Sequence, residues 1–357
     1  MKIAIVTDAW HPQTNGVVTT LSRTAETLRA AGFDVRMFTP EPYRTIPCPS
    51  YPEIRLSLFA ARALRKALDE YAPDSIHIAT EGPLGLIARR YCIRRALKFT
   101  TSYHTQFPAY VRKRFPIPEW ITYRFVRWFH NAAVCTLVPT PAIVDELRQH
   151  RFHNPVLWGR GVDTELFQPI DAQRDARNDP VYIYVGRVAV EKNIAAFLDL
   201  DLPGHKVVVG DGPLLTTLRN AYPDCTFTGY KFGEDLAQTL ASADVFVFPS
   251  KTDTFGLVML EAMACGVPVA AFPVPGPIDV VVDNVTGALR DSLADACRVA
   301  LSLDPDDCRQ HALAHSWQRC TSQFTDHLVR TEDQPGLMSP GQFAARRDTT
   351  TVASRAS

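Results

Sequence analysis

Pro249-Ser-Lys-Thr-Asp-Thr-Phe-Gly-Leu-Val-Met-Leu-Glu-Ala-Met-Ala-Cys-Gly266 follows the apolar run Val245–Phe248. The stretch reads as a buried strand, a short polar turn and a helix that starts near Phe255. The turn Ser250–Thr254 supplies hydroxyl and carboxylate groups of the kind that cap helix N-termini. Free backbone N–H groups at such a terminus form an anion site. Asp253 stands just before the helix and Glu261 about two turns inside it. One segment therefore offers N–H donors to a phosphate and two carboxylates to hydroxyls. A plain capped helix with Glu261 in solvent would carry the same residues. Further phosphate-type features elsewhere in the chain separate the two readings.

Outward from this stretch, β-like runs alternate with helical ones along the whole chain. In the first half the expected strands are Ile3–Thr7, Val35–Thr39, Ser75–Ala79, Phe99–Tyr103, Val134–Val138 and Val156–Trp158. Helical runs such as Val17–Ala31, Phe59–Tyr71, Leu84–Leu97 and Pro141–Arg151 separate them. A second set follows at Val181–Val185, Lys206–Val209, Thr226–Thr228, Val245–Phe248 and Val267–Ala271. Such alternation predicts α/β architecture with parallel, doubly wound sheets. The polar, proline-flanked stretch Gln168–Pro180 reads as a linker. The expected organisation is thus two facing Rossmann-like domains, residues 1–170 and 171–330. A polar tail without periodicity, residues 331–357, is expected to be disordered. Ligands of such sheets bind outside the carboxyl ends of the strands, here in a cleft between the domains.

Gly186-Arg-Val-Ala-Val-Glu-Lys-Asn193 leaves the first strand of the second set. Arg187 and Lys192 are permanent cations at a strand's carboxyl end, suited to a diphosphate whose charge grows as a bond to it breaks. Val208-Val-Gly-Asp-Gly-Pro213 is a Gly-rich turn that needs no ligand to explain it. Asn15-Gly-Val-Val-Thr19 places Gly16 and Val17 where backbone can approach a sugar or phosphate. It lacks the Gly-x-Gly-x-x-Gly spacing of a dinucleotide site, so no NAD is expected. His104, in Tyr103-His-Thr-Gln-Phe-Pro108, stands at a strand end over the cleft, where an imidazole can bond a sugar hydroxyl or assist an acceptor hydroxyl. Asp199-Leu-Asp201 has the form of a metal motif but sits in a solvated turn, and no metal is expected.

The bulk numbers bound the function. The formal net charge of zero hides an asymmetry: residues 1–170 carry 22 Lys and Arg against 14 Asp and Glu, and the remainder 16 against 24. A neutral total argues against general nucleic-acid binding. The eight cysteines are scattered without Cys-x-x-Cys spacing, which fits a reducing compartment. The first apolar run ends at Asp8, too early for a signal peptide, and no run of about 18 apolar residues exists. A cytoplasmic location follows as the expectation. Between Arg89 and His130 ten Lys and Arg face Glu119 alone, interleaved with Trp, Phe and Tyr. Arg112, Lys113, Arg114, Trp120 and Trp128 suit an anionic membrane surface, since basic residues attract lipid headgroups and aromatics settle at the interface. A solvated basic face over an aromatic core is the alternative.

Taken together, Asn15-Gly16-Val17, His104-Thr105, Arg160-Gly-Val-Asp-Thr-Glu-Leu-Phe-Gln-Pro169, Gly186-Arg187, Glu191-Lys192-Asn193, Gly210–Pro213 and Phe255–Gly266 resemble the retaining glycosyltransferases of family 4. The resemblance runs from Met1 to about Leu328. It implies the GT-B fold, with a final helix near Trp317 crossing back onto the first domain. It also implies that Arg187 and Lys192 bind the donor diphosphate and that Glu261 holds the ribose hydroxyls. The N–H groups of Phe255, Gly256 and Leu257 would meet the phosphate or sugar, with Gly186 beside them, and His104 and Gly16 would line the sugar pocket. The family pattern is Glu-x7-Glu; Asp253 replaces the first Glu, so its carboxylate reaches one methylene less far toward the sugar. Such enzymes use no divalent metal for the chemistry; the leaving phosphate helps deprotonate the acceptor on the same face.

The wording around Ala196–Gly204 and Thr252–Gly256 is most similar to bacterial glycolipid synthases. The resemblance therefore implies a UDP-sugar donor and a lipid acceptor such as diacylglycerol, reached from a peripheral membrane position. A GDP-mannose donor, a soluble acceptor, a nucleotide-sugar epimerase and a non-catalytic binding protein are the alternatives.

Overall fold

The computed structural model describes residues 1–13, 15–48, 51–106, 108, 111–112, 117–170 and 179–331. Lys113 and Arg114, residues 171–178 of the expected linker, and the expected tail from residue 332 lie outside the described residues.

In the first half, β1 (Lys2–Val6), β2 (Asp34–Phe38), β5 (Ser75–Ile78), β6 (Thr100–Ser102), β7 (Thr136–Val138) and β8 (Pro155–Leu157) form one sheet in the order β2-β1-β5-β6-β7-β8. Every pairing is parallel. Helices α1 (Gly16–Ala30), α2 (Ala61–Tyr71), α3 (Pro83–Arg94), α4 (Glu119–His130) and α5 (Pro141–Gln149) join the strands. The continuous apolar run of β1 follows from this architecture, because a parallel sheet is covered on both faces. Ala4 and Val6 pack with Leu64, Leu68 and Leu84 on one face. Ile3 and Ile5 point the other way, onto Leu21, Trp158 and Phe324, as the two-residue period of a strand requires.

The second half repeats the plan. Strands β9 (Val181–Val185), β10 (His205–Val209), β11 (Thr226–Gly229), β12 (Val245–Phe248), β13 (Val269–Ala271) and β14 (Gly287–Leu289) are ordered β11-β10-β9-β12-β13-β14, again all parallel. Between and after them come α6 (Ala195–Leu198), α7 (Leu215–Ala221), α8 (Gly233–Ala241), α9 (Leu257–Ala264), α10 (Pro277–Val280), α11 (Leu293–Ala300), α12 (Pro305–Leu313) and α13 (Trp317–His327). The strand order reverses between β9 and β12, and that is where open α/β sheets bind ligands. The two loops that hold Arg187, Lys192 and Asp253 leave those two strands.

Helix α13 returns to the first half. Trp317, Cys320 and Phe324 enter the core beneath β1. The Trp158 Nε1 donates to the Cys320 carbonyl at 3.1 Å, and the Thr331 N–H reaches the Asp74 carbonyl at 2.9 Å.

Two elements were not expected from the sequence. An antiparallel pair, β3 (Arg44–Cys48) with β4 (Tyr51–Leu58), stands apart from the main sheets. Pro47 and Pro52 hid it, since proline in a run argues against a strand in the body of a sheet. Strand β14 is only three residues long and begins at Gly287.

At the end of β1, Asp8 caps a helix that starts 75 residues later. Its carboxylate accepts the N–H groups of Leu84 at 2.8 Å and Gly85 at 3.2 Å, and the Thr80 hydroxyl at 3.0 Å. Replacing Asp8 with alanine leaves these donors buried without a partner. The expected cost is about 1–2 kcal/mol of stability, read as a lowered denaturation midpoint. An unchanged midpoint would show that water replaces the cap.

Candidate active site

The loop after β9 opens at Gly186 and runs through Arg187 to a 3₁₀ turn, Val190–Lys192. The Tyr184 hydroxyl donates to the Arg187 carbonyl at 2.9 Å, which fixes the start of the loop. The loop after β12 lies alongside: Asn193 Nδ2 donates to the Pro249 carbonyl at 3.0 Å, and Ser250 Oγ to the Glu191 carbonyl at 3.5 Å. The Lys192 ammonium then meets Asp253 Oδ1 at 2.6 Å, with both side chains mostly buried. Asp253 Oδ2 is buried with no hydrogen-bond partner among the described residues. Sequence reasoning gave Lys192 a phosphate and Asp253 a hydroxyl; in the structure they hold each other.

The capping expected from Ser250–Thr254 is not what these side chains do. Ser250 turns to Glu191, Asp253 to Lys192, and Thr254 Oγ1 donates to the His104 carbonyl at 2.7 Å. Helix α9 therefore starts at Leu257, two residues later than expected, with Gly256 at the cap position and no side-chain cap. Only glycine suits that cap: φ is +84°, and a Cβ would stand 2.8 Å from Met259 Cε and 2.9 Å from Phe248 Cζ. The N–H groups of Leu257 and Val258 are left at the positive end of the helix with no side-chain partner among the described residues.

Glu261 lies on the second turn of α9. No described donor bonds its carboxylate, and burial raises its pKa to about 7, partly offset by Arg23 of α1. A carboxyl group so placed gains from any hydroxyl that hydrogen-bonds it.

From the first half, α1 presents its N-terminus to the same place. A Cβ on Gly16 would lie 3.3 Å from Leu257 Cδ1, so this glycine sits directly across from the start of α9. The expected backbone approach needs one correction at Val17: its N–H, like that of Val18, is taken by the Asn15 side chain at 3.0 Å and 3.1 Å. Phe255 is buried beside Met259 and Leu260 in the core of the second half, which leaves only its backbone for a ligand.

His104 stands at the end of β6, as expected, but neither ring nitrogen is open. Nδ1 accepts from Arg160 Nη2 at 3.2 Å, so Nε2 carries the proton and meets Ser102 Oγ at 2.8 Å. Burial, and then the charge of Arg160, hold its pKa well below the usual histidine range. The imidazole is neutral, and its backbone carbonyl ties the two halves together through Thr254. A direct hydroxyl contact by the ring would require one of these bonds to break.

Arg160 is the residue whose role sequence reasoning missed. It is buried, donates to the carbonyls of Trp158 and Gly159 at 2.7 Å and 2.9 Å, and stacks 4.5 Å from the Trp158 ring. Its sequence position, 56 residues from His104, gave no sign of that contact. Of the expected membrane residues, Trp120 and Trp128 lie elsewhere, on α4. Trp120 is 66% and Trp128 51% exposed, while Arg112 pairs with Glu119 at 3.3 Å. Among the described residues no helix is long and apolar enough to cross a membrane.

Parallel doubly wound sheets that face each other, with cations and a free helix terminus at one switch point, define a transferase of the GT-B type. Family models agree: residues 14–166 match "Glycosyltransferase Family 4" and residues 179–302 match "Glycosyl transferases group 1". A GDP-mannose-dependent alpha-mannosyltransferase of Corynebacterium glutamicum is 31% identical over 366 residues, covering 92% of this chain and 89% of the relative. An alpha-monoglucosyldiacylglycerol synthase of Streptococcus pneumoniae is 29% identical, covering 88% and 81%. The solved sucrose-phosphate synthase of Thermosynechococcus elongatus superposes with a TM-score of 0.75 over 98% of this chain and 99% of that one, at 22% identity. The chain belongs to the family 4 glycosyltransferases and is a glycosyltransferase of GT-B fold.

Proposed function

We propose that this enzyme moves a hexose from a nucleotide-diphosphate sugar, GDP-mannose first among donors, to a lipid acceptor at a membrane surface, with retention at the anomeric carbon. One observation carries the reading: the loop of Arg187 and Lys192 and the loop that leads to the uncapped start of α9 leave the two strands at the switch point of the second sheet and are joined there by the Lys192–Asp253 pair. Glu261 takes the ribose hydroxyls, and the α9 N–H groups with the two cations take the diphosphate. Asp253, beside Lys192, reaches the sugar hydroxyls, and Gly16 lets the first half close over the sugar.

In the reaction the bond from the anomeric carbon to the phosphate oxygen breaks and its electron pair stays on that oxygen. The acceptor hydroxyl oxygen bonds to the anomeric carbon on the same face, and its proton passes to the departing phosphate. Two fixed cations and oriented N–H groups stabilise the charge that grows on the phosphate, so a divalent metal is not invoked. His104, neutral and held by Arg160, keeps the loop after β6 against Thr254.

GDP-mannose is placed first because the Corynebacterium relative, which spans nearly the whole chain, is named for it. UDP-glucose, of the donor class expected from sequence, is the second reading, favoured by the likeness to glucosyldiacylglycerol synthases. The lipid acceptor draws on the outer face of α4, where Trp120, Ile121, Arg124 and Trp128 are all exposed. Aromatic and basic residues on one helix face suit a headgroup boundary.

The test is nucleotide release from a panel of GDP- and UDP-sugars, with and without diacylglycerol or its glycosylated forms in anionic vesicles. Release that depends on lipid, with a new glycolipid formed, is the expected outcome. Equal release without lipid would replace the lipid acceptor with a soluble one.

A further inference from the structure

The first sheet has a switch point of its own. Its strands run β2-β1-β5-β6-β7-β8, so the order reverses between β1 and β5, and open α/β sheets bind ligands outside the carboxyl ends of such a pair. Just beyond those two ends stand Asp8 and Glu81. Asp8 is taken up by the start of α3, and Gly82 leaves it room: a Cβ there would lie 2.4 Å from Asp8 Cγ. Strand β5 runs between β1 and β6, and the segments after both neighbours reach the second half, Gly16 opposite Leu257 and the His104 carbonyl under the Thr254 hydroxyl. Glu81 therefore lies on the edge of the cleft. Its side chain is 22% exposed, and Oε1 meets His130 Nε2 at 2.9 Å. Oε2 has no hydrogen-bond partner among the described residues.

The protons behind Glu81 follow from its partners. Asn154 Nδ2 donates to the carbonyls of Ala133 at 2.6 Å and His130 at 3.4 Å, so Oδ1 is the end that accepts the Thr136 hydroxyl at 3.2 Å. Thr136, its own proton used, accepts from the Thr101 hydroxyl at 3.1 Å. Thr101 in turn accepts from His130 Nδ1 at 2.9 Å. This chain of donors pins a proton on Nδ1 of a fully buried ring. The bond between Nε2 and Glu81 then holds one proton more, either on the ring or on Oε1. In neither arrangement does Oε2 have a hydrogen to give. A purely structural pair accounts for Oε1, since the ring needs one partner. It leaves the second oxygen, an acceptor held from behind by a buried network, without a use.

We propose that Glu81 selects the acceptor: Oε2 takes a hydrogen bond from a hydroxyl of a neutral, polyhydroxylated group, a sugar or glycerol unit, beside the hydroxyl that attacks. Such a group has a proton to donate there. A phosphate at that position would set lone pair against lone pair, so the same oxygen that favours a polyol disfavours an anion. A site built around a hydroxyl also discriminates against a ligand without one, because its own acceptor is then left unpaired. His130 is a positioning residue that fixes the carboxylate through Oε1. The inference rests on the transferase reading above and gives the acceptor a chemical class. It adds no step to the chemistry, and the proton of the attacking hydroxyl still passes to the departing phosphate.

The experiment measures glycoside formation by the full chain, with GDP-mannose and UDP-glucose offered in turn. The acceptors are detergent-dispersed diacylglycerol, monoglucosyldiacylglycerol and phosphatidylinositol, and free methyl glucoside and inositol phosphate. Monoglucosyldiacylglycerol should exceed diacylglycerol, with its single hydroxyl, and phosphatidylinositol, with its phosphate, by about tenfold in kcat/KM. A preference for either phosphate-bearing acceptor, or no product from any neutral one, overturns the proposal, and this comparison needs only the wild-type chain. Glu81→Ala should raise the acceptor KM about thirtyfold, with donor KM and kcat near wild type. In Glu81→Gln the pinned Nδ1 proton makes Nε2 accept from the amide, which leaves the amide oxygen outward as a neutral acceptor. The acceptor KM should then rise only about fivefold. Denaturation midpoints and GDP affinity check that each variant folds. An unchanged acceptor KM in Glu81→Ala, or a loss shared equally by donor and acceptor, reduces the pair to a structural one. Product on methyl glucoside but on no lipid, with KM still tied to Glu81, keeps this assignment and sinks the lipid reading. Product on glucosyldiacylglycerol with KM blind to Glu81 does the reverse.

Discussion

Lys192→Ala lowers kcat by about 10²–10³-fold, with a smaller change in donor affinity, in an assay of nucleotide release at saturating donor. The physical argument starts from charge. As the glycosidic bond breaks, the departing diphosphate gains negative charge, and an ammonium fixed beside it lowers the barrier more than it lowers the ground state. Lys192 is fixed by three features: the 3₁₀ turn that ends on it, the Asn193 bond to the next loop, and the 2.6 Å pair with Asp253. Asp253 takes one N–H of the ammonium, and the ammonium's three N–H groups are enough to serve carboxylate and phosphate together. The substitution also strands Asp253, whose second oxygen is already unpartnered. A lowered denaturation midpoint accompanies the loss, and Lys192→Ala/Asp253→Asn should recover stability without recovering kcat. Recovery of both would mean that Lys192 acts only to neutralise Asp253.

The second large effect is on pH dependence. Glu261 has a pKa raised to about 7, burial being the first cause and Arg23 the opposing one. Ribose hydroxyls that donate to the carboxylate favour its charged form and pull the pKa down. Binding then releases a proton from any molecule still protonated, so affinity for GDP rises as pH climbs toward 7 and levels off above it. Each unit by which the complex lowers the pKa corresponds to about tenfold in affinity between the acid and alkaline limits. Glu261→Gln removes the titrating carboxyl, so its affinity keeps only the pH dependence of the GDP phosphate itself, rises less than wild type between pH 5.5 and 8, and is lower than wild type at pH 8. Calorimetric titration of GDP at several pH values reads both quantities. A wild-type affinity that follows the same pH course as Glu261→Gln, at the same strength, would remove Glu261 from the nucleotide site. The same shift bears on folding. A carboxyl whose folded pKa exceeds its unfolded value adds stability that is complete below about 4.5 and lost as pH rises through about 7. Nucleotide should therefore stabilise the chain more at pH 8 than at pH 6.

What the sequence showed and what it hid follow physical lines. The parallel sheets were legible because strands buried on both faces read as short apolar runs between helical ones. The place of Arg187 and Lys192 was legible, on the loop just beyond such a strand. The same reasoning went astray at Ser250–Thr254. Those side chains have the chemistry of caps, but their partners, Lys192, the Glu191 carbonyl and the His104 carbonyl, come from distant loops. Local propensity could not weigh them. Val17 failed in the opposite direction, since Asn15 is a local cap that the reading passed over. His104 was placed correctly at its strand end, but the neighbour that claims its ring, Arg160, is adjacent only in the folded chain. The aromatic-rich segment allowed either a core or a membrane face. The register of α4 divides it, sending Tyr123, Val126 and Phe129 inward and Trp120 and Trp128 outward.

The most direct measurement is a crystal structure of the chain with GDP bound. The account predicts the diphosphate between the Arg187 and Lys192 side chains and the N–H groups of Gly256 and Leu257, with the ribose hydroxyls on Glu261. A diphosphate held elsewhere, with α9 still uncovered and Lys192 still closed on Asp253, would contradict it.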